Sequence, residues 1–192
     1  MKPHYLQSKN KITLTVLDGS HIENLVQISR DERIWKFATH DFSNEKIFRK
    51  KWIQKAFDEI KENKRICFVV LLDGKIIGSS SLYQLDSDNK KCSMGYTWFS
   101  PEYWGSYVNP TVKFILLNYV FNTLNFNRVE FCVDSMNLPS RQSLAKFKIQ
   151  EEGLLRNHMI LSNGRIRHSV IFSVIKEEWP LVEIMNRVNL FI

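Results

Sequence analysis

Apolar residues alternate with polar ones at Ile12, Leu14 and Val16, which predicts a half-buried strand near the start of the chain. The period then lengthens. Ser20-His-Ile-Glu23 reads as a capping box, and Ile22, Leu25, Val26 and Ile28 follow it at helical spacing. A second helix is predicted from a cap at Ser43 to about Asn63. It carries Phe48, Trp52, Ile53, Ala56, Phe57 and Ile60 on one face and lysines on the other. The stretch between, with Trp35, Phe37 and Phe42, reads as a short helix and loop. Residues 66–72 are a continuous apolar run, Asp73-Gly74 is a turn, and 75–83 return, so a β-hairpin is predicted there. A third antiparallel strand covers 92–99 after the polar turn 86–91. A mostly apolar helix covers 110–124, with Pro110 at its start where no N–H is needed. A strand at 128–134 leads to a helix at 138–147 capped by Asn137. Two final strands, 152–160 and 166–175, flank the hairpin signal Ser162-Asn163-Gly164. This order of elements predicts an α/β fold around one mixed sheet.

The 192 residues suit a single domain, 1–192, with 44% apolar and 24% charged residues. The longest apolar run is seven residues, against about 20 for a membrane-spanning helix, so no membrane passage is expected. The first ten residues lack the apolar core of a secretory signal. Cys67, Cys92 and Cys132 are an odd, widely spaced set, which argues against a disulfide framework or a CxxC metal site and points to a reducing cytoplasm. The five histidines show no metal spacing either, so no metal is expected.

The net charge is +7, and residues 141–168 hold six Lys or Arg against Glu151 and Glu152. Such a balance favours anionic partners. Nucleic acid would also fit the charge, but no reading motif accompanies it, and it is set aside. Hydrolase elbows, zinc-protease helices, Walker loops and dinucleotide fingerprints are all absent. One junction stands out: Tyr96-Thr-Trp-Phe-Ser-Pro-Glu-Tyr-Trp-Gly-Ser-Tyr-Val-Asn-Pro110, where a strand passes through a loop into a helix. A loop entering a helix presents unpaired N–H groups and the positive end of the helix dipole, which suits a pyrophosphate.

From Gly95 to Pro180 the sequence resembles the GNAT acyltransferases, in their Rim-type, ribosomal-protein N-terminal branch. The stretches that carry the resemblance begin with Gly95-Tyr-Thr-Trp-Phe-Ser-Pro-Glu-Tyr-Trp-Gly105 and Asn109-Pro110. They continue through Arg128-Val-Glu, Asp134-Ser-Met-Asn-Leu-Pro-Ser-Arg141 and Glu152-Gly-Leu-Leu-Arg156, and end with Asn163-Gly-Arg and Glu178-Trp-Pro180. The resemblance implies a mixed, mostly antiparallel sheet of about seven strands flanked by four helices. It implies a cofactor half at about 66–148 and acceptor-side elements at about 20–63 and 150–176.

Acetyl-CoA is the implied acyl donor, and an amine, either a protein N-terminus or a small molecule, the implied acceptor. The backbone of Trp98, Phe99 and Ser100 would pair with pantetheine. The N–H groups of Gly105, Ser106, Tyr107, Val108 and Asn109 would hold the pyrophosphate. Asn137 would lie beside pantetheine, and Arg141 and Lys146 would meet the adenosine phosphates. Ser140 matches the serine proposed to protonate the departing thiolate; its other reading is a helix-start hydroxyl bonded only to backbone. The attacking amine must lose a proton, and Glu102 or Glu152 could take it, as could a chain of water molecules. Much of the rate would come from holding amine and thioester together.

Three departures stand out. The central glycine of the family's phosphate turn is Tyr107, the glycine expected after the fourth helix is Lys148, and the usual thiolate-facing tyrosine is Leu144. The alternative to an enzyme is therefore a GNAT-fold binding module with impaired CoA affinity. Dimerisation is compatible with the fold, though no sequence feature argues for it.

Overall fold

The computed structural model describes residues 5–7 and 11–190. The strands are β1 (Tyr5–Gln7), β2 (Ile12–Val16), β3 (Arg65–Leu72), β4 (Lys75–Asp86), β5 (Lys91–Phe99), β6 (Arg128–Asp134), β7 (Gln150–Ile160) and β8 (Ile166–Ile175). The helices are α1 (Ile22–Ser29), α2 (45–61), α3 (108–123), α4 (Leu138–Lys146) and α5 (Trp179–Leu190). One sheet runs in the order β1-β2-β3-β4-β5-β6-β8-β7. Every neighbouring pair is antiparallel except β5 and β6, which run parallel.

The expected strands and four helices are present. Two elements are additional. β1 is a three-residue edge strand, too short to show a period. α5 begins at Trp179-Pro180 and buries Trp179, Val182 and Asn186; Asn186 Nδ2 donates to the Phe147 carbonyl at the end of α4.

Two caps differ from the expected ones. Asp18, not Ser20, starts the first helical segment: its carboxylate accepts from Ser20 N–H at 2.8 Å, and the His21 ring accepts the Asp18 N–H at 3.1 Å. A carboxylate two residues earlier outcompetes the hydroxyl, which itself donates to Asp18 at 2.6 Å. Asn44, not Ser43, caps α2 through Oδ1 to Ile47 N–H, while Ser43 N–H is held by Asp41. α2 runs as a π-helix over Phe48–Ile53, and the wider turn brings Phe48, Trp52, Ile53 and Ala56 together against the sheet. α3 starts at Val108, so Pro110 lies third in the helix and not first, still within the turn whose N–H groups lack helical acceptors.

The two sheet faces carry separate cores. On one face, α3 and α4 pack with Ile66, Phe68, Val70, Phe131 and Phe172. On the other, α1 and α2 pack on Cys67, Val69 and Trp98, where the rings of Trp35, Phe42, Phe48 and Trp52 close around them.

Candidate functional site

β5 and β6 are paired only from Lys91↔Arg128 to Ser93↔Glu130. Beyond that point the ladder stops, and the edge of β5 from Met94 to Phe99 has no strand partner toward β6. Because these strands are parallel, they end on the same side, so the helices that follow them, α3 and α4, both begin at the open end. β5 is also bulged. Ser79 pairs with Trp98 but Ser81 pairs with Gly95, and Tyr96 takes a left-handed φ of 49°. Bulges re-aim side chains and interrupt pairing. Gly78 makes this geometry possible, since a Cβ there would stand 2.1 Å from the Trp98 carbonyl oxygen.

Of the strand end expected to meet pantetheine, the backbone edge of β5 toward β6 has no strand partner over 94–99, while Ser100 is engaged. The side chains of Trp98 and Phe99 are buried in the two cores. Ser100 N–H is committed to the Ile77 carbonyl at 2.8 Å, and the Trp104 indole N–H donates to the Phe99 carbonyl at 3.0 Å.

The turn that follows presents open backbone N–H groups. Gly105 has φ 70°, with open space where a Cβ would stand. The N–H groups of Gly105, Ser106, Tyr107 and Asn109 have no acceptor among the described residues. Val108 departs from the expected set: its N–H is taken by Ser106 Oγ at 3.2 Å, and that hydroxyl donates to the Tyr103 carbonyl at 2.6 Å. Tyr107 sits at φ −69°, ψ −11°, an ordinary conformation for any residue, with its side chain 45% exposed. The missing glycine therefore imposes no backbone strain.

At the start of α4, Asn137 Oδ1 accepts Ser140 N–H at 3.2 Å, as a cap should. The Ser140 hydroxyl is half-buried and has no partner among the described residues. Arg141 braces the β6–α4 turn through the Ser135 carbonyl and Glu151, and its Nε is buried without an acceptor among the described residues. Lys146 is exposed in the last turn of α4, about 13 Å along the axis from Asn137. Leu144 is core. Lys148 takes φ 62°, the conformation that a glycine would adopt freely.

The two carboxylates part company. Glu102 lies on the exposed turn Pro101–Tyr103 beside the open end, 3.4 Å from Lys75 Nζ. Glu152 lies at the closed end. Arg128 grips both its oxygens, with Nη1 at 2.8 Å from Oε1, and Ser173 Oγ donates to Oε1 at 2.7 Å. Those bonds hold its pKa at about 2 and commit Glu152 to a structural ion pair, away from the open end.

The two segments expected on the acceptor side meet. Ser162 N–H, at the β7–β8 hairpin tip, donates to the Thr39 carbonyl at 3.0 Å in the loop between α1 and α2, bridging the face above the parted strands. Several groups near this opening escaped the sequence reading. Tyr96 lies over buried Arg65 at 4.0 Å and against Tyr83. A second bulge, in β7 between Leu155 and Met159, brings His158 Nδ1 within 3.9 Å of Cys132 Sγ, and Arg167 donates to the same sulfur. An open hollow of about 960 Å³ runs along this part of β7, lined by Leu154, Leu155, Arg156, Asn157, His158 and His168, and does not include the Gly105–Asn109 turn. Lys113, buried in α3, had one signal: it is the only charge in a mostly apolar helix. The other groups are scattered in sequence and left none.

The model of the Acetyltransferase (GNAT) domain matches residues 11–150. YdaF of Bacillus subtilis (strain 168), named as a candidate ribosomal N-acetyltransferase, is 29% identical over 172 residues, 88% of this chain and 93% of its own. A GCN5-related N-acetyltransferase from Brucella melitensis superposes with TM-score 0.87 at 24% identity, over 99% of this chain and 86% of that one. Mycobacterium smegmatis RimJ, solved with CoA-disulfide, superposes with TM-score 0.80 at 19% identity, over 96% and 92% of the chains.

Proposed function

Since the chain belongs to the acetyltransferase (GNAT) family, we propose that it is an acetyl-CoA-dependent N-acetyltransferase of the Rim type, acting in the cytoplasm on a primary amine. The observation that carries this reading is the set of open N–H groups at Gly105, Ser106, Tyr107 and Asn109, placed beside the unpaired edge of β5. A diphosphate fits that set, and the backbone from Tyr96 to Phe99 offers an edge for an amide-bearing arm. The buried Arg141 Nε, without an acceptor among the described residues, is a further donor in the same half.

The donor supplies a thioester carbonyl that the neutral amine attacks, with the thiol leaving as the C–S bond breaks. Asn137 spends its carbonyl oxygen on the α4 cap, which leaves its amide N–H groups for pantetheine. The Ser140 hydroxyl, without a partner among the described residues, is suited to give its proton to the leaving sulfur. Arg141 and Lys146 serve the phosphates of the adenosine end. Glu102, at the open end, is the carboxylate left to receive the amine's proton, directly or through water. The acceptor enters on the face bridged by Thr39 and Ser162. The basic stretch 141–168 favours an anionic context for that amine, such as the N-terminus of a ribosome-associated protein, with a small amine as the second choice. Cys67, Cys92 and Cys132 are free thiols, which suits a reducing compartment.

The alternative, a silent binding module, leaned on Tyr107 and Lys148. Tyr107 needs no glycine conformation, and Lys148 lies behind α4 rather than in the turn. Calorimetry with acetyl-CoA tests the choice. Micromolar binding is expected for the parent, with no gain from Tyr107→Gly. Absence of binding in the parent, restored by Tyr107→Gly, would favour the silent module, and absence in both would overturn the acetyl-CoA reading.

A further inference from the structure

Lys113 is a buried amine that the reaction above leaves unused. It is 8% exposed, in the second turn of α3. Its Nζ donates to Asn109 Oδ1 at 2.8 Å and to Ser143 Oγ of α4 at 3.0 Å. Helical side chains lean toward the N-terminus, so Nζ lies level with the first turn, where the open N–H groups are.

Charge and valence both look incomplete there. No carboxylate among the described residues pairs with Lys113. Lys113 is the only charged residue of α3. Of the elements packed against α3, β2 carries no charged residue, α5 carries Glu183 and Arg187 in its sequence, and β3 carries Arg65, held by Glu59. β6 carries Arg128 and Glu130, paired with each other, and Asp134, paired with Arg165, and β8 carries Arg167 and His168. Across the Ser143 bond α4 brings Arg141, held by Glu151, and exposed Lys146. A cation at a helix N-terminus opposes the helix dipole. Burial, by desolvating the charged form, pushes the Lys113 amine down to about 7. The two hydrogen bonds satisfy the two N–H groups of a neutral amine. The third N–H of an ammonium has no acceptor among the described residues.

Resting on the reading of the turn as a diphosphate site, we propose that Lys113 takes up a proton from solvent when the diphosphate binds, and that the resulting ammonium, acting through Asn109, strengthens that site. The bound anion supplies the counter-charge that the free protein lacks. Lys113 is thus a positioning residue that couples donor binding to pH.

The sign follows from linkage. Well below pH 7 the amine is already charged and little proton is taken up. Above pH 7 binding must add one, so acetyl-CoA affinity falls with rising pH, by up to about tenfold per unit when one full proton is taken up. Calorimetry in two buffers of different ionisation enthalpy, from pH 6.5 to 9, reads the uptake directly. Uptake should grow above pH 7 in the parent. Lys113→Arg, always charged, should bind with no uptake above pH 7, and Lys113→Met should show none and bind more weakly than the parent at pH 6.5. Uptake absent from the parent while acetyl-CoA still binds would overturn the proposal, as would equal uptake in Lys113→Met. If the parent fails to bind acetyl-CoA at all, the diphosphate reading falls and takes the proposal with it. A Met variant that does not fold leaves the parent's own uptake as the deciding measurement.

Discussion

Glu152 gives both carboxylate oxygens to Arg128 and one of them also to Ser173, and the bonds lower its pKa from the ordinary 4.5 to about 2. A carboxylate whose pKa is depressed by folding stabilises the fold fully above its unfolded value and loses that contribution as pH falls from about 4.5 toward 2. Glu152→Gln should therefore be less stable at pH 7 and should lose that part of the acid-dependent fall, both read from denaturant midpoints between pH 2 and 7. Acetyl transfer by this variant should keep the parent's pH profile; a profile altered above pH 7 would restore Glu152 as a proton acceptor. Nothing in the residue types distinguishes Glu152 from Glu102, because a carboxylate's role is decided by which cation folding brings to it. Tyr107 shows the same limit. The sequence reports a missing glycine, but only the backbone shows that Gly105 carries the positive φ and Tyr107 does not. Lys148, at φ 62°, does occupy a glycine's conformation, at a cost of about 1–2 kcal/mol.

Elements were legible where a period or a strong stop was present. β3 and β4 announced themselves by an apolar run and the Asp73-Gly74 turn, both of whose residues take positive φ. Caps were legible only to within a residue or two, since Ser43 and Asn44 are both eligible and the winner depends on which oxygen faces Ile47 N–H. Asn44→Ala should accordingly lower stability by about 1 kcal/mol, and Ser43→Ala by less than about 0.5 kcal/mol, as measured by urea denaturation. Equal losses would contradict the assignment. The bulges of β5 and β7 left no sequence trace, because a bulge is a mismatch between two strands and neither strand encodes it alone. These bulges aim Tyr96 and His158, which is why that part of the site stayed hidden while the Gly105 turn and the Asn137 cap did not.

At the scale of the molecule, one order of elements and two alternating faces were enough to foresee a single mixed sheet with helices on both sides. The separation of the two cores adds what the order could not, namely that α3 and α4 occupy one face while α1, α2 and the Thr39–Ser162 bridge occupy the other. The sheet then works as a partition, and the gap where β5 and β6 part is a slot through it. On the proposed reading, donor and acceptor would reach the slot from opposite sides, so neither would have to leave before the other arrives. Turnover through such a slot has a kinetic signature. Initial rates measured against both reactants should give intersecting double-reciprocal lines, and labelled CoA should not exchange into acetyl-CoA until an amine is present. Parallel lines would mean that the acetyl group halts on the protein, and the slot would then be a relay and not a meeting place.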